Sequence, residues 1–358
     1  MLKPLATIGI LGGGQLGRML ALSAARLGLR CHIYSPEANS CAFDVAQART
    51  VARYDDAAAL ARFAASVDVV TYEFENVPAR TAALLATQCQ VFPDPAVLAK
   101  TQDRLIEKQF VGSLGIATAP FAPVGSAEEA TVAIGRIGRP AVMKTRRLGY
   151  DGKGQVKIGP DGDAVAAWTE LGKAECILEG FVAFEREVSV IAARARDGTV
   201  ACFEVTENEH RNHILHRSSV PAKVSPALAA AALDIAGRIA TAFDYVGVLA
   251  VEMFVRRENG AETLLVNEIA PRVHNSGHWT IDGATVSQFE QHIRAVAGWP
   301  LGVPRRHGSR VEMVNLIGAE AANLGDVLTE PGACLHLYGK ANPRPGRKMG
   351  HITRIFSD

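Results

Sequence analysis

Cysteine is scarce: six in 358 residues, Cys31, Cys41, Cys89, Cys176, Cys202 and Cys334. No two are spaced as Cys-x-x-Cys, which argues against a zinc site or a dithiol redox pair. Several stand in apolar stretches, where a small buried hydrophobe in a reducing compartment is the expected role. Net charge is nearly absent, with 38 basic and 37 acidic side chains giving +1. That balance excludes the broad positive field of a nucleic-acid or membrane-surface binder. A phosphate-bearing ligand must therefore be met by local clusters. No apolar run approaches the ~18 residues needed to span a bilayer, and there is no internal repeat or low-complexity linker. The run Ile8-Gly9-Ile10-Leu11 passes straight into glycines, unlike a signal peptide. These absences predict a soluble, cytoplasmic protein with no nucleic-acid or membrane partner.

What is present is an ordered globular composition, 48% hydrophobic and 21% charged, in a chain long enough for two or three compact units. The first hundred residues alternate strand and helix signals: a strand at 6–11, a helix from Gln15 to about Leu27, strands at 31–34 and 67–72, and an alanine-rich helix near 56–65. That order implies a parallel sheet of βαβ units. A helix near 103–113 follows, then a strand at 140–144, a polar glycine-rich run at 148–154 and a strand at 176–179. From about 185 to 275 the signals are mainly strands, with one long helix at 226–243. The last sixty residues are rich in glycine and proline and end in a short, basic, strand-like tail.

Gly12-Gly13-Gly14-Gln15-Leu16-Gly17 satisfies G-x-G-x-x-G between a strand and a helix, and Glu37 follows 37 − 17 = 20 residues on. Taken alone this fits a dinucleotide fingerprint and a nicotinamide oxidoreductase. The physical content is broader, because glycines allow a tight turn and a helix N-terminus offers N–H groups to any phosphate. A tight turn with no ligand is equally open.

A second feature is more demanding. Gly247-Val248-Leu249-Ala250-Val251-Glu252-Met253-Phe254-Val255 places a carboxylate inside an apolar strand, where it is costly to bury unpaired. Sixteen residues later Leu264-Leu265-Val266-Asn267-Glu268-Ile269 repeats the arrangement. A hairpin across Asn259-Gly260 would make Glu252 and Glu268 neighbours on one face. Facing carboxylates need a proton or cation between them, and hard oxygen donors favour Mg²⁺, with Mn²⁺ as a substitute. The alternative is that each pairs with an arginine such as Arg256 or Arg272. Lys144 ends a strand, and Lys153 lies in a loop bracketed by Gly149, Gly152 and Gly154. Such a loop suits a lid over a triphosphate, or an ordinary hairpin turn at Asp151-Gly152. Beyond the strand ending at Glu179, the backbone of Gly180, Phe181 and Val182 is placed to meet an adenine edge, and Glu187 to accept ribose hydroxyls.

In order and spacing, Lys144, Gly149-Tyr150-Asp151-Gly152-Lys153-Gly154-Gln155, Glu179-Gly180-Phe181-Val182, Glu187, His210, Glu252 and Asn267-Glu268 resemble the ATP-grasp superfamily. Within it the chain is similar to the N5-carboxyaminoimidazole ribonucleotide synthase family of purine-pathway ligases. The marks are residues 12–19 (GGGQLGRM), 72–76 (YEFEN), 149–155 (GYDGKGQ), 267–280 (NEIAPRVHNSGHWT) and 344–351 (RPGRKMGH). They extend over almost the whole chain. The resemblance implies an α/β chain, α+β overall, in three domains: a Rossmann-like unit at 1–103, a small lid with its connecting helix at 104–182, and an ATP-grasp unit at 183–358. The last has a mainly antiparallel sheet and includes the basic tail.

The implied reaction joins ATP, bicarbonate and 5-aminoimidazole ribonucleotide through carboxyphosphate, giving the N5-carboxylated product, ADP and phosphate. By the same resemblance Glu252 and Glu268 hold Mg²⁺, while Lys144, the 149–155 loop and Arg104 face the nucleotide. Arg272, His274 and Asn275 would meet bicarbonate or carboxyphosphate, with Lys153 closing from the lid. The ribonucleotide would lie among Gly14, Gln15, Leu16, Glu73, Asn76, Tyr150, Asp151, Lys340, Arg347 and Lys348, its 5′-phosphate taken by the basic tail or the helix N-terminus at 14–17. A homodimer is implied. The competing readings are a formate-dependent glycinamide ribonucleotide ligase, a biotin carboxylase subunit, the oxidoreductase above and an inactive nucleotide-binding regulator.

Overall fold

Two largely apolar strands, Thr7–Leu11 and Val69–Tyr72, lie side by side in the first layer. In the computed structural model, which describes residues 1–149, 152–258 and 260–357, β1 (Thr7–Leu11), β2 (Arg30–Ser35), β3 (Ala48–Val51) and β4 (Val69–Tyr72) make a parallel sheet in the order β3-β2-β1-β4. Ile8 and Ile10 pack with Met19 and Leu20 of the helix Gln15–Arg26, and Leu11 packs with Leu60 and Phe63 of the helix Ala57–Ala65. With both faces covered, β4 is buried throughout, as parallel strands usually are.

A second, antiparallel sheet consists of β5 (Phe121–Val124), β6 (Ala141–Thr145), β7 (Gln155–Ile158) and β8 (Cys176–Gly180), in the order β5-β8-β6-β7. It has its own core of Ala130, Ile134, Met143 and Leu178. The helix Arg104–Ser113, expected to travel with this lid, instead packs Val111 against Val266 and Ile269 in the core of the third sheet.

That third sheet has nine strands. They are β9 (Arg186–Arg194), β10 (Val200–Cys202), β11 (Thr206–Arg211), β12 (Ile214–Val220), β13 (Gly247–Glu258), β14 (Ala261–Ala270), β15 (Arg310–Ile317), β16 (Ala333–Leu337) and β17 (Lys348–Phe356). All pairings are antiparallel, in the order β14-β13-β9-β11-β12-β15-β17-β16, with β10 on β9. The expected short tail is thus a nine-residue strand held between β15 and β16. The helix Pro226–Ala242 covers one face; Ser225 caps it by accepting from Leu228 N, and Pro226 takes the first turn, where no N–H is needed. The helix Gln288–Ala297 covers the other face and also meets the first unit, where Thr71 Oγ1 lies 2.8 Å from His292 Nε2. This docking brings the loop after β4 beside the segment that follows β14.

Candidate active site

The site is built on the β13–β14 hairpin. Its register pairs Glu252 directly with Glu268, and the next pair is Met253 with Val266, so Asn267 is the extra residue of a bulge. A hairpin in that register puts both carboxylates on one face. Neither is left bare: Arg104 Nη1 donates to Glu268 Oε2 at 2.9 Å, and His274 Nε2 lies 2.9 Å from Glu252 Oε1. The partners are therefore Arg104 and His274, not Arg256 or Arg272. Burial pushes the Glu268 carboxyl up, but Arg104, Lys144 and His274 outweigh it and hold it at about 2. The face is built for positive charge. Two carboxylates beside an amide form a hard-oxygen donor set of the kind that would suit a magnesium ion. Among the described residues no three His, Cys, Asp or Glu side chains are grouped so that they could hold a metal ion by themselves.

Arg104 opens a helix whose first turn is fixed twice. Asp103 caps it by accepting from Leu105 N at 3.1 Å, and the same carboxylate takes Arg146 Nη2 at 2.8 Å. Arg104 Nη2 also donates to Gly149 O at 3.0 Å, tying the start of the glycine loop to β14 through Glu268. Within that loop Thr145 N bonds Gly154 O at 2.8 Å. Gly152 has φ +78, and a Cβ there would lie 2.7 Å from His213, so the loop folds against the β11–β12 turn. Lys153 is exposed, Gln155 begins β7, and Tyr150, Asp151 and Asn259 lie outside the described residues. Lys144 Nζ donates to Glu179 Oε2 at 3.0 Å. Glu187 pairs with His210 Nδ1; burial alone would lower the His210 pKa, and Glu187 reverses the direction. Glu187, His210, Glu252 and Asn267 line one small recess together with Asn208 and Phe254. The adenine expectation needs correcting in part. Gly180 N bonds Pro120 O and Phe181 N bonds Pro140 O, at 2.9 and 3.0 Å, so neither N–H is available to a base. Val182 lies beyond that pairing. The Phe181 ring carries Lys157 Nζ 4.3 Å from its centre.

Directly after β14 the chain turns inward. Arg272 is gripped by Glu75 through Nε and, at 2.9 Å, through Nη2, and its Nη1 donates to Val273 O at 3.1 Å. Among the described residues these contacts use three of its five guanidinium N–H groups. Burial pushes the Glu75 carboxyl up, but Arg272 outweighs it and keeps it ionised. Ser276 N lies 3.3 Å from His274 Nδ1, and the other ring nitrogen, Nε2, faces Glu252. Asn275 is buried, yet both its Oδ1 and Nδ2 are without a partner among the described residues. Buried amides are normally satisfied, and this one adjoins Arg272 and His274.

The glycine turn at 12–17 has another occupant. Glu73, at the end of β4, reaches into it, accepting from Gly14 N and Gly17 N. A Cβ at Gly12 would lie 2.4 Å from Glu73 Cγ, and one at Gly14 would lie 2.8 Å from its Oε1. The glycines make room for the chain's own carboxylate. Glu73 thus takes two of the N–H groups that a phosphate at 14–17, or a dinucleotide pyrophosphate, would use. Burial raises the Glu73 pKa, while the two N–H groups, Lys340 and Arg272 pull it back. Beside it Lys340 Nζ donates to Gln15 and, at 2.8 Å, to Lys348 O. The structure thus gathers Gln15, Glu73, Lys340 and Lys348. Leu16 is half-buried in the helix start, Asn76 is exposed, and Arg347 is turned onto its own loop, donating to Asn342 O at 3.1 Å.

Sequence reasoning assigned no role to Glu75, Lys108, Asp103 or Arg146. One signal was present: Arg104, Glu107, Lys108 and Val111 occupy the i, i+3, i+4, i+7 stripe that should be apolar in a core helix. Glu107 and Lys108 are indeed buried there.

Three family models match: a ribonucleotide synthetase preATP-grasp domain over 5–102, an ATP-grasp domain over 109–289, and a phosphoribosylaminoimidazole carboxylase C-terminal domain over 312–358. The chain is 54% identical to the N5-carboxyaminoimidazole ribonucleotide synthase of Brucella melitensis, over 99% of this chain and 97% of that one. The N5-carboxyaminoimidazole synthetase of Staphylococcus aureus, solved with ADP, superposes with a TM-score of 0.93 at 38% identity, covering 100% of this chain and 95% of that one. The enzyme from Aspergillus clavatus, solved with ADP and 5-aminoimidazole ribonucleotide, gives a TM-score of 0.89 at 28% identity, covering 99% and 94%. The paired glutamates, the lysine and glycine loop above them and the arginine–histidine–asparagine turn belong to a chain matched from end to end, and it is a member of the N5-carboxyaminoimidazole ribonucleotide synthase family of ATP-dependent ATP-grasp ligases.

Proposed function

We propose that the chain carboxylates 5-aminoimidazole ribonucleotide, using ATP and bicarbonate, to give N5-carboxyaminoimidazole ribonucleotide in purine biosynthesis. The observation that carries this reading is the juxtaposition of the Glu252/Glu268 pair with Arg272 and the unsatisfied buried amide of Asn275. One half of that constellation suits a metal-bound polyphosphate and the other a small planar anion. Glu252, Glu268 and Asn267 would hold Mg²⁺, or Mn²⁺ in its place; when bound, the ion offsets charge on the phosphates during transfer. Lys144, Arg104 and the 149–155 loop bind the phosphates. Val182 meets the adenine edge and Glu187 the ribose.

Bicarbonate is a weak electrophile. One of its oxygens attacks the γ-phosphorus, ADP leaves, and the carbon becomes part of carboxyphosphate, which has a good leaving group. Arg272, oriented by Glu75, supports the developing negative charge, and Asn275 supplies a donor and an acceptor to the same anion. The exocyclic amine of the ribonucleotide then takes up the carboxyl group, phosphate departs and the amine loses a proton. Glu73, Gln15, Lys340 and Lys348 hold the ribonucleotide, with Lys340 on its phosphate. The working division is a first unit at 1–103, a lid segment at 104–182 whose connecting helix Arg104–Ser113 is seated on the third sheet, and a catalytic unit at 183–358, in a cytoplasmic homodimer. No helix of the described residues is long and apolar enough to cross a membrane.

The test is ADP release measured with bicarbonate or formate against aminoimidazole or glycinamide ribonucleotide. Turnover that needs bicarbonate and the aminoimidazole ribonucleotide supports the reading. Turnover that needs formate overturns it.

A further inference from the structure

Two lysines lean on one carboxylate at the base of the nucleotide cleft. Glu179 is 5% exposed; its Oε2 takes Lys144 at 3.0 Å and its Oε1 faces Lys108 at 3.5 Å. The lysines differ in freedom. Lys144 is 15% exposed at the end of β6, beside the glycine loop, and its charge acts on Glu268 across the cleft. Lys108 is 3% exposed, sits on a helix pinned by the Asp103 cap, and also donates to Asn267 O at 3.1 Å in the bulge beside Glu268. Lys144 can turn toward a phosphate. Lys108 cannot leave.

A carboxylate this buried needs a cation at all times, because stripping one partner from a buried pair strands the other charge. If Lys144 were the sole counter-charge, its move to a phosphate would desert Glu179. We propose that Lys108 is a positioning residue that stays behind as the counter-charge of Glu179 and so releases Lys144 to the polyphosphate of the nucleotide. Its second anchor, on the bulge carbonyl, fixes the spacing between β8, where the adenine edge lies, and β14, where the metal carboxylate lies. The inference rests on the nucleotide cleft proposed above. It adds a residue that touches no substrate and acts through Lys144.

The test is a binding cycle. Affinities for adenosine, ADP and ATP are measured by calorimetry with Mg²⁺ present, on the wild-type chain, Lys108→Met, Lys144→Met, the double variant and Lys108→Arg. Lys108→Met is expected to weaken ADP and ATP by roughly tenfold while adenosine stays within about twofold, because only phosphate-bearing ligands need Lys144. In the Lys144→Met background the same change should cost almost nothing, and Lys108→Arg should retain most of the affinity. Equal losses for adenosine and ADP, or additive losses in the double variant, would make Lys108 a merely structural lysine and overturn the proposal. Should Lys108→Met not fold, Glu179→Gln decides. With the carboxylate neutral, Lys144 is free from the start, so the ratio of ADP to adenosine affinity should hold or rise, and a fall contradicts the proposal. A wild-type chain that binds neither ADP nor ATP removes the nucleotide cleft itself.

Discussion

Replacing Glu268 by glutamine separates the charge of the site from its shape. The side chain keeps its size and one oxygen, and loses a carboxylate that Arg104, Lys144 and His274 hold ionised down to about pH 2. A full charge is therefore removed at every working pH. The cost to the fold should be small. The pair with Arg104 spans 2.9 Å, but the two side chains are 21% and 38% exposed, and partly solvated pairs contribute at most about 1 kcal/mol. In a chain of 358 residues that is a shift of roughly 1–2 °C in Tm. The cost to phosphoryl transfer should be far larger. Deleting one preorganised electrostatic partner of a charged transition state typically lowers kcat by about 100- to 1000-fold. The assay is coupled ADP release with all three substrates saturating, beside a circular-dichroism melt. A variant that melts within a few degrees of the parent and makes ADP at near-normal rate would refute the metal assignment.

Three further outcomes follow from neighbouring residues. Lys340→Ala should raise the KM of the ribonucleotide far more than that of ATP, and equal effects would move Lys340 out of the ribonucleotide pocket. Burial brings the Lys340 pKa from 10.5 down to about 8, so the ribonucleotide KM should rise as pH passes through 8 and the ammonium is lost. The unfolded chain binds the extra proton between 8 and 10.5, so this residue makes stability increase with pH in that window; a KM independent of pH from 7 to 9 counts against the assignment. Glu75→Gln frees Arg272 and should raise the bicarbonate KM while leaving that of ATP unchanged, with a stability loss of about 1–2 kcal/mol for a pair 28% and 17% exposed. An unaltered bicarbonate KM would remove Glu75 from the orientation of Arg272.

The parts of the molecule that were legible in the sequence are those in which local pattern and tertiary role agree. The β13–β14 hairpin follows from two apolar strands around a turn, and the direct pairing of Glu252 with Glu268 follows from its register. One helix with a polar inner face was not legible. The helix Gln288–Ala297 buries Gln288, Gln291 and His292, which break the apolar stripe because each bonds outside the helix, to His274 O, Gly302 O and Thr71. The same applies to Glu75 and Arg272, 197 residues apart. The glycine turn misled for a related reason. Its glycines do permit close approach of an anion, but whether that anion is a ligand or Glu73 depends on where β4 ends in space.

The central claim is that a carboxylate is activated by phosphorylation, and bicarbonate labelled with ¹⁸O tests it most directly. If carboxyphosphate forms, the bicarbonate oxygen that attacks the γ-phosphorus stays on phosphorus when the amine takes the carbon. One labelled oxygen should then appear in each phosphate released, in step with the carboxylated ribonucleotide. Phosphate released without label during turnover would contradict the account.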